Sequence, residues 1–554
     1  MSTQSTIDLT NADLAKIKQE TNISDQNLEK TEKSPEEQVD TGYLSKAVLI
    51  PLCLSLCLCL FMAALDQTIV TVALPRIASD FNALSDISWV GSAFLLTSTA
   101  FQGLYGKCSS IFGYKYMIIF ALFFFLVGSL LCALANSIVM LIIGRAIAGI
   151  GGAGIQSMCQ IIITVVCPIQ DRGLYQGLVG AAYMVGTAVG PLIGGAFTDH
   201  LTWRWAFYIN LPIGVVAAIA VAVVLRNQPA PGTTWKERFG RIDYLGTFLL
   251  LGWVVAFLLP LSWGGSKYPW NSAVIIALFC VFGVLLIIFI IVQWKYSKEP
   301  LMPASVFTVH RNPPLIFAAN VLVGMSLMGI MYYVPILFQE GMGNSATTAG
   351  EKFIPFMISI VLSSIISGVI ITVFLVYRPI TVLGGALGAT GAGLMSLWTR
   401  DSNLGTQIGF LIVAGFGFGW YVQGGLFSAQ APTRREDLPV TTGLVSFCRS
   451  LGGAIGVTIF GTVFNNELLA TIPKHLPNAS PTIIAAALAQ NDAILSTLPD
   501  ATRNAIADAN VEALRYVFYA ITGLMGAATL IALATGHIKL TKEDIKQFKE
   551  SEEA

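Results

Sequence analysis

Apolar stretches that are long enough to cross a lipid bilayer recur from Ala47 to Thr535. A hydrocarbon core about 30 Å thick needs roughly 20 apolar residues in a helix, and a helix satisfies its own backbone hydrogen bonds in lipid. Only 12% of the 554 residues are charged, whereas charged residues make up about a quarter of a soluble protein. We therefore predict an all-α polytopic membrane protein with fourteen transmembrane helices. The predicted spans are 47–74, 89–109, 116–135, 138–166, 174–197, 206–225, 244–262, 272–294, 314–338, 354–376, 379–398, 405–428, 444–466 and 513–536.

Basic residues are distributed unevenly between alternate connections. One set of connections contains most of the loop lysines and arginines, including Lys107, Arg172 and Arg241, and the other set has only a few, such as Arg76 and Lys267. The positive-inside rule places the richer set in the cytosol, and with it both termini. The 32 basic and 32 acidic residues cancel, so no net field points to a nucleic-acid partner.

A carboxylate, Asp66, lies inside the first predicted span, in the sequence LDQTIVTVALP. It is about eight residues from the outer end of the span, which corresponds to a depth of roughly 12 Å. An Asp at the centre of a membrane helix costs about 2.5 to 3.5 kcal/mol, and such residues usually face the interior of a helix bundle and serve transport. The alternative is a carboxylate that is permanently paired for a structural purpose.

An arginine lies at a matching depth in the fourth span. Arg145 is about seven residues, or roughly 10 Å, below the same surface, so Asp66 is the predicted counter-charge. Steps of four, three and four residues place Arg145, Gly149, Gly152 and Gln156 on one helical face. That face could line a polar cavity, or its glycines could only allow close contact between helices.

The fifth span contains the glycine-rich sequence GTAVGPLIGG at 186–195. Glycines at these spacings predict a groove for close helix packing, and Pro191 removes one backbone hydrogen bond and bends the helix. We interpret this stretch as a seam along which two helices rock. Its residues are Gly186, Gly190, Pro191, Gly194 and Gly195.

Four motifs together resemble those of the fourteen-span drug:proton antiporters of the major facilitator superfamily. They are LDQTIVTVALP at 65–75, GRAIAGIGGAG at 144–154, GTAVGPLIGG at 186–195 and WRWAFYINLP at 203–212. The resemblance covers the whole membrane region. It implies two six-helix halves around a central cavity with two helices inserted between them. It also implies that Arg145 and the glycines of the fifth span act in proton coupling and antiport geometry.

The resemblance gives the domain boundaries. They are a disordered cytosolic tail at 1–45, an N-terminal half at 46–226, a linker with the two extra helices at 227–299, a C-terminal half at 300–537 with a long outer loop at 467–512, and a cytosolic tail at 538–554. The middle of the outer loop is rich in Ala and Leu and could form a surface helix. Asn478-Ala479-Ser480 in that loop is a candidate glycosylation site, although Pro481 follows it directly.

The connection between spans 2 and 3 departs from the family pattern. It reads GKCSSIFGYK and keeps Lys107 and Gly113, but Ser110 stands where the family usually has an Asp. That acid makes the charged contacts that hold the cytosolic gate of the family. We expect hydroxyl hydrogen bonds to replace them, with a weaker closed gate.

Polar and aromatic residues at mid-membrane are the candidates for the substrate cavity. They fit a cavity that holds flat or amphipathic organic molecules by stacking and a few hydrogen bonds, although each of them alone could serve ordinary helix packing. Arg449, near the cytosolic end of span 13, could extend its side chain to the membrane surface. The candidates are Gln67, Gln156, Asn320, Trp420, Tyr421 and Gln423.

The expected function is proton-coupled antiport that exports drugs or toxic metabolites across the plasma membrane. Transport of basic amino acids into a vacuole is the main alternative, and siderophore or sugar carriage or a non-transporting sensor remains open. We expect no enzymatic activity, no cofactor and no metal, because clustered catalytic side chains and a phosphate-binding loop are absent from the sequence. The expected partners are protons, a small-molecule substrate and the bilayer, with a monomeric protein.

Overall fold

The structure is a computed structural model that describes residues 46–81, 88–225, 234–265, 267–374, 376–477, 479–488, 495 and 497–536. The tails predicted at 1–45 and 538–554, and the candidate glycosylation site Asn478, lie outside the described residues.

One long helix occupies each of the fourteen predicted spans in the described part of the chain. We number these helices α1 to α14. They are α1 Lys46–Phe81, α2 Ser88–Phe112, α3 Tyr114–Ala133, α4 Ile138–Val166, α5 Ile169–His200, α6 Trp205–Val224, α7 Tyr244–Trp263, α8 Ala273–Ile291, α9 Asn312–Ile336, α10 Ala346–Phe374, α11 Arg378–Met395, α12 Leu404–Gln430, α13 Leu438–His475 and α14 Asp500–Ala534. Shorter helices are Trp235–Gly240, Ala304–Thr308 and Pro481–Leu488.

Twelve of these helices are long and apolar enough to cross a membrane. The other two, α2 and α11, carry more small and polar residues, and α11 has only 18 residues with five glycines among them. Both pack against several helices, α2 against α4 and α13 and α11 against α12 and α14. The all-α membrane fold is therefore confirmed, whereas the count of fourteen spans stays a prediction.

The predicted outer loop at 467–512 is shorter than expected. Helix α13 continues to His475 and α14 begins at Asp500, and both added stretches bury apolar side chains, Leu468 and Ile472 in the first and Ile506 and Val511 in the second. The expected surface helix is present as Pro481–Leu488, and two of its alanines, Ala486 and Ala487, are buried.

The helices form two groups of six with α7 and α8 beside them. The core of the first group includes Leu56, Phe125 and Ile155, and the core of the second includes Phe418 and Phe460. Helix α8 buries only two side chains, and it packs mainly on α7. A third core places α7 against α2 and α13, so the extra pair joins the bundle on one side.

Candidate functional site

Asp66 and Arg145 form a buried ion pair, as the sequence predicts. The Arg145 Nη1 atom lies 2.6 Å from the Asp66 Oδ2 atom. The Arg145 side chain is 2% exposed and the Asp66 side chain is 0% exposed. The Arg145 Nε atom donates to the carbonyl oxygen of Val90 at 3.1 Å, and the guanidinium lies 4.3 Å from the ring centroid of Phe94. The arginine is thus held by residues of both α1 and α2. Removing one partner of a buried ion pair typically lowers the free energy of unfolding by about 3–5 kcal/mol.

Asn210 completes this ion pair, and the sequence analysis assigned it no role. Its Nδ2 atom donates to the second carboxylate oxygen of Asp66 at 2.8 Å and also lies 3.2 Å from the Ser129 hydroxyl. Both oxygens of Asp66 therefore accept hydrogen bonds. The signal was available, because Asn210 is a polar residue at the start of the apolar sixth span in the motif WRWAFYINLP.

The glycines of α5 allow close packing against α1. A Cβ atom on Gly186 would lie 2.5 Å from the carbonyl oxygen of Phe61, and one on Gly194 would lie 2.5 Å from that of Ile69. Gly190 is equally crowded by Thr68. Because α1 carries Asp66, this seam fixes the position of the ion pair relative to α5.

Gly195 and Pro191, which the sequence analysis also placed in the α5 seam, have different environments. A Cβ atom on Gly195 would meet only Val72, at 3.9 Å, so Gly195 is not required for the close packing. Pro191 lies inside the helix and borders the central cavity, as Gly195 does.

The tightness of the seam gives a stability prediction. We expect Gly194→Ala to lower the melting temperature of the purified protein, because overpacking typically costs about 1–3 kcal/mol. The matched control is Gly526→Ala in α14, where an added Cβ has no atom within 4 Å. That control should be neutral or stabilising. Equal melting curves for the two variants would show that α1 and α5 can separate freely.

The predicted face of α4 is divided between packing and a cavity. Gly149 and Gly152 pack on α2, where an added Cβ would lie 2.6 Å from the Phe94 carbonyl oxygen and 2.8 Å from the Phe94 ring respectively. Arg145 and Gln156 border the cavity instead. This face of α4 therefore both borders the cavity and allows close helix packing, which are the two roles that the sequence analysis considered for it.

A central cavity of about 1780 Å³ lies between the two helix groups. Its wall is mostly apolar, with several glutamines and two tyrosines, Tyr183 and Tyr332. Tyr183 donates to the Gln67 Oε1 atom at 3.1 Å, and Gln102 donates to the Gln156 Oε1 atom at 3.2 Å. The structure thus brings Gln67, Gln156 and Gln423 of the predicted set to the cavity.

Three predicted cavity residues are placed elsewhere, and these predictions were wrong. The Asn320 amide donates to the Ile316 carbonyl oxygen of its own helix at 2.9 Å, and the Tyr421 hydroxyl donates to the Ala528 carbonyl oxygen at 3.2 Å. Trp420 packs beside Tyr377 and Phe427. None of these three residues borders the cavity. For Asn320 and Tyr421 the reason is that a polar group in mid-helix can find a backbone partner without facing an open space.

The two helix groups are in contact at one face of the bundle. We call it the basic face, since it carries Lys107, Lys115 and Arg241. There the Ser446 hydroxyl donates to Gln160 Oε1 at 2.7 Å, and the Gln430 amide donates to the Thr164 hydroxyl at 3.1 Å. These bonds between uncharged side chains close the cavity toward the basic face.

Backbone contact supports the same closure. The α5 and α10 helices approach so closely that a Cβ atom on Gly173 would lie 2.8 Å from the Gly368 Cα atom. Gln423 of α12 donates to the Gly173 carbonyl oxygen at 3.3 Å. At the other end, the cavity extends to Trp89 at the start of α2, to Trp270 between α7 and α8, and to Asn466 in the last third of α13. The structure is therefore closed at the basic face and open toward the opposite face.

An ion cluster near the end of α2 contains an acid that the sequence analysis missed. Glu299 accepts from Arg241 at 2.6 Å and lies 3.0 Å from the Lys107 Nζ atom. The Ser110 hydroxyl donates to the Lys107 carbonyl oxygen of its own helix at 2.8 Å. Ser110 itself therefore bonds its own helix, and the carboxylate of this cluster comes from the segment after α8, whereas the hydroxyl hydrogen bonds between the two helix groups are those of Ser446 and Thr164. Gly113, with φ of 94°, makes the turn into α3.

The charges around Glu299 favour its ionised form. Partial burial alone would raise the pKa of this carboxyl, but the hydrogen bonds and charges of Arg241 and Lys107 outweigh it and lower the pKa from its ordinary value of 4.5. The stabilisation from this cluster is therefore complete above about pH 4.5 and lost as the pH falls through the lowered value.

This ion cluster gives a modest stability prediction. We expect Glu299→Gln to lower the melting temperature at pH 7 by only about 1–3 °C, because half-exposed ion pairs contribute about 1 kcal/mol or less. The difference from the unmodified protein should shrink at high salt, where such charges are screened. A large loss that is insensitive to salt would assign Glu299 a different role.

The described residues contain no group of three or more His, Cys, Asp or Glu side chains that could hold a metal ion. Asp66 and Arg145 are the buried ion pair of the site, with Asn210 as their neutral partner.

Comparisons with known proteins agree with this architecture. The sequence profile of the Major Facilitator Superfamily matches residues 56–457. The MFS-type efflux pump MFS1 of Arthroderma benhamiae is 39% identical over 435 residues, which are 77% of this chain and 80% of that protein. The efflux pump aunC of Aspergillus niger is 37% identical over 518 residues, 91% of this chain and 89% of that protein.

Solved structures show the same fold at low sequence identity. The human organic anion transporter MFSD10 has a TM-score of 0.57 at 14% identity, with 86% of this chain and 99% of that chain covered. The proton:xylose symporter XylE also has a TM-score of 0.57, at 13% identity, with 90% of this chain and 98% of that chain covered. At these identities the likeness extends to the fold alone.

Proposed function

The chain belongs to the major facilitator superfamily, and we propose that it is a proton-coupled antiporter that exports small organic molecules by alternating access. The observation that carries this proposal is the buried pair of Asp66 and Arg145, with Arg145 in the wall of the central cavity. Relatives that are named efflux pumps support the export of small molecules. The titrating group and the direction of transport are our inference.

Protonation of Asp66 is the coupling step of the proposed mechanism. A proton on the carboxylate removes the negative charge that balances Arg145 and weakens the pair to a hydrogen bond with a neutral acid, so the guanidinium depends more on the Val90 carbonyl and the aromatic rings. The two protonation states therefore favour different arrangements of α1, α2 and α4. Each pH unit across the membrane supplies about 1.4 kcal/mol per proton.

The seam between α1 and α5 would transmit that change to the gate. Helix α5 packs on α1 through Gly186, Gly190 and Gly194 and touches α10 through Gly173. A displacement of α1 would thus alter the contact between the two halves. Gln160, Ser446, Thr164 and Gln430 are uncharged, so opening the basic face would break neutral hydrogen bonds between these side chains, each worth about 0.5–1.5 kcal/mol.

The proposed orientation places the basic face and both termini in the cytosol, following the positive-inside rule. The structure then corresponds to an outward-open state in the plasma membrane, ready to release substrate and to accept a proton. We propose that the protein acts as a monomer, since each chain contains a cavity between its own halves.

The vacuolar alternative has less support from the cavity. A carrier of basic amino acids needs carboxylates for a cationic substrate, yet Glu351 is the only carboxylate among the described residues that border the cavity. It is exposed near the beginning of α10, at the open end.

Purified protein in vesicles with an acidic interior tests the proposal. We expect a lipophilic organic dye to accumulate inside as protons leave, and labelled lysine to remain at the level of empty vesicles. Collapse of the pH gradient with an ionophore should abolish the accumulation. Lysine accumulation without dye accumulation would instead support the vacuolar function, and gradient-independent movement of both would contradict proton coupling.

A further inference from the structure

Arg449 of α13 is a charged cavity residue that the proposed coupling step does not use. Its backbone packs against Gly324 of α9, where an added Cβ would lie 2.8 Å from the Arg449 carbonyl carbon, and its side chain borders the central cavity. The closing bond between Ser446 and Gln160 lies between this position and the basic face. Arg449 therefore faces the cavity and does not extend to the membrane surface.

No described carboxylate lies within ion-pairing distance of Arg449. The other charges on the cavity wall do not balance it, because Arg145 is neutralised by Asp66 and Glu351 is at the open end of the cavity. A charged side chain within a membrane bundle is expensive and usually marks the path of a substrate or an ion. Among the described residues that border the interior of the cavity, Arg449 is thus a cation without a counter-ion.

The surroundings of Arg449 are suited to a molecule with one charged end and an apolar body. Tyr183 of α5, from the other half, borders the same cavity. Gln423 and Ser450 also border the cavity and offer polar contacts. Flexible methionines, including Met328 and Met331 of α9, cover the apolar part of the wall, and such side chains adapt to varied shapes.

We propose that Arg449 binds the acidic group of the substrate, and that the exported molecules are amphipathic organic anions such as carboxylates, sulfonates and enolates of acidic dicarbonyl compounds. This inference rests on the proposed function for the identity of the cavity. An arginine binds a planar oxyanion through two parallel hydrogen bonds. A neutral substrate leaves the charge of Arg449 without a partner, and a cationic one is repelled by it. A bound anion contacts both halves, through Arg449 on one side and Tyr183 on the other.

Two dyes on one scaffold test the charge preference. Sulforhodamine B and tetramethylrhodamine methyl ester share the xanthylium ring system, but the first carries a net negative charge and the second a net positive charge. Fluorescence anisotropy with full-length protein in lipid nanodiscs should show tighter binding of sulforhodamine B, and added salt should weaken that binding. Tighter binding of the cationic dye to the unmodified protein would overturn the inference without any variant.

Substitution of Arg449 then tests the residue itself. We expect Arg449→Gln to weaken sulforhodamine B binding by about 10- to 100-fold, the range for hydrogen bonds to charged groups, with binding of the cationic dye unchanged or tighter. Arg449→Lys keeps the charge and should lose less. The matched control is Arg400→Gln, which removes a half-buried arginine that bonds Asn504 outside the cavity. Equal sulforhodamine B affinity in the Arg449→Gln and Arg400→Gln variants would overturn the inference.

The same preparations separate this inference from the proposed function. In one outcome, Arg449→Gln selectively loses sulforhodamine B binding, while the unmodified protein transports neither dye in response to a proton gradient. That outcome would support the anion site and contradict the proton coupling. In the opposite outcome, the cationic dye is transported in response to the proton gradient, and each dye binds Arg449→Gln as tightly as it binds the unmodified protein. That outcome would support the coupling and contradict the anion site.

Discussion

Asp66→Asn is expected to abolish proton-driven transport while substrate binding remains measurable. Asparagine has the same shape as the carboxyl group and can keep one hydrogen bond with Arg145 or Asn210, but it cannot take up or release a proton. In vesicles with an imposed pH gradient, accumulation of substrate should fall to the level of empty vesicles. Binding in the absence of a gradient should change far less, because Asp66 itself does not border the cavity.

A carboxylate on the same helix is the matched control for this variant. Asp80 accepts from the Trp203 indole nitrogen at 2.8 Å and pairs with Arg76 at 3.6 Å, near the end of α1. Asp80→Asn should therefore retain proton-driven accumulation. If Asp66→Asn still accumulates substrate in response to the gradient, Asp66 is a structural residue and the proton binds elsewhere.

Gly173→Val is expected to prevent closure of the basic face. The new side chain would have to fit against the backbone of Gly368. Overpacking of this kind destabilises the closed arrangement by about 1–3 kcal/mol, which shifts the equilibrium between the closed and the open basic face by roughly 5- to 150-fold. Transport should fall by a similar factor, because the outward-open state becomes rare. Gly409→Val in α12, where an added Cβ has no atom within 4 Å, is the matched control and should transport normally.

The population of the outward-open state can be measured directly. A cysteine placed at Ser450 in the cavity, in a chain whose nine native cysteines are replaced by serine, should react with a membrane-impermeant maleimide applied from the outer side. Gly173→Val should slow that reaction, whereas Gly409→Val should not. Fast labelling together with normal transport in Gly173→Val would show that this contact is not the gate.

The ion pair could be predicted from the sequence because depth in a membrane can be counted along a helix. Asp66 and Arg145 are at similar depths in two spans, and a buried charge requires a partner, so the spacing alone joins them. The glycines of α5 could be predicted for a similar reason, since their spacing places them on one face. The structure adds the identity of the neighbour, which is α1.

Other features required the three-dimensional structure. Helical periodicity does not say toward which neighbour a polar residue points, so Asn320 and Tyr421 were assigned to the cavity although each bonds a backbone carbonyl. Glu299 is separated by 58 residues from Arg241, and no local pattern links the two. Arg449 appeared in the sequence only as a charge near the end of a span. The structure places it in the cavity, because the hydrogen bond between Ser446 and Gln160 closes the bundle between Arg449 and the basic face.

The most direct test of the proton coupling at Asp66 is a measurement of proton movement caused by substrate. Vesicles that contain a pH-sensitive dye, with no imposed gradient, receive an outward- or inward-directed gradient of a transported compound, and the internal pH is followed. We predict an opposing proton flux in the unmodified protein and in Asp80→Asn, and none in Asp66→Asn. A substrate-driven proton flux that persists in Asp66→Asn would contradict the assignment of Asp66 as the coupling residue.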